Sequence, residues 1–135
     1  MENIQKNQID IKTNSTITLT DILQFQQILH QSRYACLPQE FINFLYAHNG
    51  INNNRNIICG IKHHPQSDDI LTLNQQIKHP LHKDLIFLGF DEFDYLAYNQ
   101  KHQIYQIIDK SDFEVIEEYQ DFASALQYIL KIEDE

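Results

Sequence analysis

The chain has no tryptophan, one methionine, three glycines, three prolines and two cysteines among its 135 residues. Each scarcity removes a class of mechanism. The glycines stand far apart, at Gly50, Gly60 and Gly89, so there is no glycine-rich loop to cradle a phosphate and no Gly-x-Ser-x-Gly nucleophile elbow. Cys36 and Cys59 do not form a Cys-x-x-Cys pair, which favours two reduced, mostly buried thiols over a disulfide. No apolar run exceeds about five residues, far short of the roughly 20 needed to span a bilayer. The stretch Met1-Glu2-Asn3-Ile4-Gln5-Lys6 lacks the apolar core of a signal peptide, and the expectation is a cytosolic protein. Basic residues are scarce in one region only. Residues 1–82 hold six Lys or Arg against six acids, whereas residues 83–135 hold four against thirteen. The whole formal charge of -9 therefore sits in the C-terminal part. A field of that sign repels nucleic acid and anionic lipid, and it favours encounter with a basic protein surface.

What the chain does have is a run of sheet-forming segments. Leu85 to Asn99 packs two aliphatic and aromatic runs around the acidic turn at Asp91-Glu92, which reads as strand, turn, strand. The apolar runs 103–108 and 113–119 follow after about four polar residues each, the spacing of antiparallel neighbours. A four-stranded meander results. At 42% hydrophobic the chain is large enough for one core without crosslinks or metals. The expected fold is α+β, a single domain over 17–132, with an antiparallel sheet of four or more strands, N-terminal helices and a C-terminal helix packed on it. Residues 1–16 read as a loose arm in which Ile9 and Ile11 permit a short strand at 9–11, and 133–135 as an acidic tail.

Helix signals flank the sheet. Thr18 with Asp21 forms a capping box, Ile17 and Ile22 take staple positions, and Ile22, Phe25, Ile28 and Leu29 give an apolar stripe that fades by Ser32. Leu37 to Gly50 reads as a second helix, with Pro38 in its first turn, Glu40 at its positive end and Gly50 left-handed at its close. Phe41, Phe44, Leu45 and His48 share one side, His48 as a C-terminal cap or packing residue. Asn52 to Asn56 reads as an exposed loop and Ile57 to Lys62 as a short strand in which Gly60 marks a bulge or a close approach. A helix at Asp69 to Ile77, stopped before Pro80, would cover one edge of the sheet. Asp121 caps the last helix, whose apolar stripe is Phe122, Ala125, Leu126, Ile129 and Leu130.

A catalytic or metal constellation does not emerge. His63, His64, His79 and His82 are the densest histidines, but Pro80 breaks the helical spacing of the last two and no paired ligand spacing remains. No metal and no cofactor are expected. Acids gather at Asp91, Glu92 and Asp94 and again at Asp109, Asp112, Glu114, Glu117 and Glu118. General acid–base work needs two carboxyls in different environments, whereas turn acids in water stay equally ionised. Asp91, Asp94, Asp109 and Asp112 read as turn formers. Tyr95, Tyr98, Tyr105, Tyr119 and Tyr128 lie within or beside these acidic segments, a mixture suited to protein recognition, though such rings also fill cores.

The run Leu37-Pro38-Gln39-Glu40-Phe41-Ile42-Asn43-Phe44-Leu45-Tyr46-Ala47-His48-Asn49-Gly50 resembles the opening helix of the SUKH superfamily. Phe87 to Asn99 is similar to that family's central hairpin, and Phe122 to Leu130 to its closing helix. In the family the hairpin turn often carries Gly-Asp, where Phe93-Asp94 stands here. The resemblance implies a mixed helix and sheet scaffold without catalytic residues. Bacterial members are mostly regarded as immunity proteins that neutralise toxins, many of them nucleases, and fungal relatives as interaction proteins in cell-wall regulation. What this implies for the chain is a non-enzymatic domain that binds a basic cognate toxin and neither nucleic acid nor membrane. The candidate contacts are Asp91, Glu92, Asp94, Tyr98, Glu114, Glu117 and Glu118. A regulatory scaffold without a toxin partner is the alternative.

Overall fold

The computed structural model describes residues 12–13, 17–61, 69–77 and 83–131. In chain order these form β1 (Lys12–Thr13), α1 (Leu19–Gln31), α2 (Gln39–Ala47), β2 (Ile51–Asn53), β3 (Asn56–Ile58), α3 (Ile70–Gln76), β4 (Leu85–Phe90), β5 (Asp94–Asn99), β6 (Ile104–Asp109), β7 (Val115–Tyr119) and α4 (Phe122–Leu130). The seven strands make one antiparallel sheet in which spatial order equals chain order. The class is α+β, and β4 to β7 are the expected meander. The arm's proposed strand at 9–11, the four histidines from His63 to His82 and the acidic tail lie outside the described residues.

The helices begin where local chemistry starts them. Thr18 N–H donates to Asp21 Oδ2 at 2.9 Å and Asp21 N–H to Thr18 Oγ1 at 3.2 Å, a reciprocal cap for α1. Asp69 caps α3 through Leu71 N–H at 2.8 Å, and Asp121 caps α4 through Ser124 N–H at 3.2 Å. Ile22, Phe25 and Leu29 of α1 are buried, but Ile28 is 40% exposed and leaves the expected stripe. Pro38 stands just before α2 as its N-cap rather than inside the first turn. The helix stops at Ala47, and Gly50 takes φ of 94° two residues past the His48 cap.

Three expectations about strands and thiols need correction. Asn52 to Asn56 is a hairpin, not a loop, because Ile51 to Asn53 pairs with Asn56 to Ile58. Asn54 makes the tight turn at φ of 60°, a conformation asparagine tolerates better than most residues. The strand expected over 57–62 ends at Ile58. Beyond it, Gly60 only forms an isolated bridge to Asp69 and accepts Ile70 N–H at 3.0 Å. Neither cysteine is in a disulfide, as expected, yet only Cys59 is buried while Cys36 is exposed.

The core forms where α2 and α4 meet the sheet. Phe122 packs edge-on to Phe41 and Phe44, with ring centroids 5.3 and 5.0 Å apart, and the buried Tyr105 of β6 lies 5.6 Å from Phe122. Glu40 Oε1 accepts the Phe122 N–H at 3.2 Å, so the acid at the start of α2 also caps α4. On the β4 edge, β3 pairs only with Gly89 and Phe90. Below that point α3 takes over. Its Asn74 accepts Phe87 N–H at 2.9 Å and donates to Phe87 C=O at 2.8 Å, so one buried amide replaces a neighbouring strand. The helix, expected to cover one edge of the sheet, completes instead the stretch of the inner strand β4 that β3 does not reach.

Candidate functional site

Aspartates build the two tight connections at one end of the meander. Asp91 Oδ1 accepts the N–H groups of Phe93 and Asp94 at 2.9 and 2.8 Å. In the next connection Asp109 Oδ1 accepts Ser111 N–H at 2.7 Å, and Asp112 Oδ1 accepts Glu114 N–H at 2.9 Å. The Ser111 hydroxyl and N–H hold the Asp109 carboxyl below its ordinary range. This is the turn chemistry expected of Asp91, Asp109 and Asp112; the Asp94 carboxyl, expected to do the same, takes the Tyr128 hydroxyl instead. Phe93 is not among the residues with positive φ, so the turn strains nothing by lacking glycine.

Two of the expected surface acids are interior. Asp91 and Asp94 are only 3% and 6% exposed, because α4 lies over their face of the sheet. At its end Lys131 turns left-handed at φ of 58°, and its Nζ sits 2.8 Å from Asp91 Oδ2. The same ammonium lies 4.4 Å from the Tyr128 ring centroid, and Tyr128 donates its hydroxyl to Asp94 Oδ2 at 3.2 Å. Burial first, and then the Asp91 charge, raises the Asp94 carboxyl above its ordinary range. Burial and the Asp94 charge push the Tyr128 phenol up to about 12. The picture of turn acids in water is therefore wrong for this pair. The arrangement is a closed set of carboxylates held by a lysine and a phenol, and neither acid is open as a partner contact.

A pH dependence follows from Asp94. Its carboxyl holds a proton more tightly in the folded chain than in the unfolded one, so its contribution to stability is full below the unfolded value. That contribution is lost as pH rises through the raised folded value. Asp94→Asn keeps an oxygen for the Tyr128 hydroxyl and removes the titration. The variant is expected to gain on the parent in melting temperature as pH rises from the acid range to neutrality. A difference in melting temperature that stays constant over that range would contradict this assignment.

The remaining candidates separate by strand. Glu92 is exposed and pairs with Arg55 of the β2–β3 turn at 3.0 Å, a solvated ion pair of small energetic weight. Tyr98 is half-buried, its ring 4.9 Å from Tyr105. Burial and then the Glu40 charge raise its phenol. In the sheet register Tyr98, Tyr105 and Tyr119 form one cross-strand row, and Tyr105 is core. Tyr95 packs against Phe87 and Phe113. The rings are thus mostly structural. Glu114, Glu117 and Glu118 are exposed along β7 and just before it. They do not share a face: Glu117 pairs with Ile107 and Glu118 with Gln106, consecutive residues of β6 that point to opposite sides. Glu118 Oε2 accepts the Gln106 amide at 2.9 Å.

What sequence reasoning missed lies between these acids. Val115 and Ile116 are each 44% exposed. The signal was available, since Val-Ile-Glu-Glu-Tyr does not alternate as a strand with one buried face would.

Elsewhere, a cavity of about 270 Å³ opens between α2 and α4, lined by Glu40, Asn43, Phe44, Ala47, Phe122 and Ala123. A smaller one of about 180 Å³ is lined by Leu73, Gln76, Phe90, Tyr95 and Lys110. Neither joins a nucleophile to a base. His48 packs 5.5 Å from the Phe44 ring, and burial lowers its pKa, so it acts as a neutral packing residue and not as a charged cap. Among the described residues no three His, Cys, Asp or Glu side chains gather to hold a metal ion. Among the same residues no helix is long and apolar enough to cross a membrane.

Comparison with models of known protein families gives no match, and comparison with curated proteins gives none either.

Proposed function

We propose that this chain is a non-enzymatic binding domain of the immunity type, which neutralises a basic cognate toxin in the cytoplasm by occluding it. The observation that carries this reading is the outer strand of the sheet, where exposed Val115 and Ile116 lie between exposed Glu114 and Glu117–Glu118. An apolar centre rimmed by charge of one sign is what a protein interface needs: desolvation supplies the affinity, and the acids select and steer a basic partner. The SUKH-like order of an opening helix, central hairpin and closing helix supplies the toxin-neutralising role. Sequestration of Asp91 and Asp94 also supports a non-catalytic reading, because it keeps two neighbouring carboxyls from contact with a substrate.

The test is growth of cells expressing the product of the gene immediately upstream, with and without this protein. Growth arrest by that product and recovery on co-expression are expected. A harmless product, or arrest that this protein does not relieve, would replace the immunity reading with that of a regulatory scaffold. In the purified complex, Glu114→Gln, Glu117→Gln and Glu118→Gln together are expected to weaken binding about tenfold at low salt, with the difference shrinking at high salt. Unchanged affinity would move the interface away from β7.

A further inference from the structure

We propose that β7 receives an extended basic segment of the partner as an added antiparallel strand, an inference that rests on the binding reading above and specifies its geometry. β7 is the last strand of the sheet and pairs only with β6. Among the described residues, no backbone hydrogen bond joins Val115–Tyr119 to any element other than β6. Its outward N–H and C=O groups are half of a ladder, the feature that strand addition uses for affinity.

The side chains select the occupant. A second copy pairing antiparallel about the middle of β7 would set Glu117 against Glu117, and like charges directly opposite destabilise a sheet. Nucleic acid would meet the same acids. A segment with two adjacent basic residues followed by two β-branched ones satisfies the edge instead. Because Glu117 and Glu118 point to opposite sides, both basic residues find a partner, and the apolar pair falls opposite Ile116 and Val115. Ile116 is the extra residue where the β6–β7 register shifts. A shift of this kind, like charge itself, also protects edges from unwanted pairing, so the test must separate a blunted edge from a selective one.

The probe is a capped, fluorescein-labelled peptide, Thr-Lys-Lys-Val-Ile-Thr, titrated into the full chain at low salt. Two controls accompany it, the same peptide with alternate backbone nitrogens methylated and its Glu-Glu counterpart. Saturable binding of the first peptide alone is expected, with amide signals of Val115–Tyr119 shifting in nuclear magnetic resonance. The pair Glu117→Lys with Glu118→Gln, which leaves an acceptor for Gln106, is expected to weaken it about tenfold. Equal binding of the methylated peptide would overturn strand addition and leave only charge attraction. Absence of binding by the first peptide would show a blunted edge and overturn it as well. Growth rescue separates the two levels. If the doubly substituted protein still rescues fully, the immunity reading stands and the β7 mode falls. If the parent never rescues while the peptide binds as expected, the edge stands and the immunity reading falls.

Discussion

Asn74→Leu is expected to lower the unfolding free energy by about 3 kcal/mol. The side chain is 1% exposed and makes three hydrogen bonds: from its amide to Ile70 C=O and Phe87 C=O, both at 2.8 Å, and from Phe87 N–H to its oxygen at 2.9 Å. Leucine has nearly the same shape but offers no partner, so the Phe87 peptide loses both bonds in a place water does not reach. Each buried group left unmade costs about 1–3 kcal/mol, against a total stability of about 5–15 kcal/mol for an ordinary domain. Urea titration should show a lower midpoint at unchanged slope. A midpoint within error of the parent would mean that α3 is not what finishes the β4 edge.

Gly89→Ala is the second large effect, expected at about 3 kcal/mol by the cost of overpacking a close approach. A Cβ built at Gly89 would lie 2.5 Å from the Ile57 carbonyl oxygen and 3.2 Å from Ile58 Cα. Both are backbone atoms of β3, which cannot rotate aside as a side chain could. The methyl therefore forces β3 away from β4 at the Ile58–Gly89 pair, the last rung of that ladder. Amides of Ile57 and Ile58 should lose protection from hydrogen exchange in the variant. Retained protection at parental stability would refute the steric account.

These two positions also mark how far the sequence could be read. The meander was legible because Leu85–Phe90, Asp94–Asn99 and Ile104–Asp109 are dense apolar runs separated by short polar turns, and both signals act over a few residues. The caps at Thr18 and Asp121 were legible for the same reason, whereas Asp69, read as the first residue of its helix, is the cap before it. Gly89 was not legible, since its role depends on a carbonyl more than thirty residues away, and the close approach was sought at Gly60 instead. The β2–β3 hairpin was hidden because five polar residues resemble a loop, until the buried Ile51 and Ile58 on either side are seen to pair. At the candidate site the turn role of Asp91 was readable from its local spacing. Its burial was not, because Lys131 and Tyr128 come from a helix that begins some thirty residues later. That Glu114, Glu117 and Glu118 are all exposed was not readable, since residues 113–119 place polar and apolar groups on both faces of the strand.

One property of the sheet bears on how the chain assembles. Its neighbour order follows chain order throughout, and within the last four strands every pairing closes a turn of only a few residues. The entropy lost in closing such loops is small and grows only slowly with their length. The bond from Glu40 to the start of α4, by contrast, joins residues 82 positions apart. The C-terminal half can thus gather strand by strand, while the helical half is captured by a contact of long reach, and it is this late capture that topology makes slow.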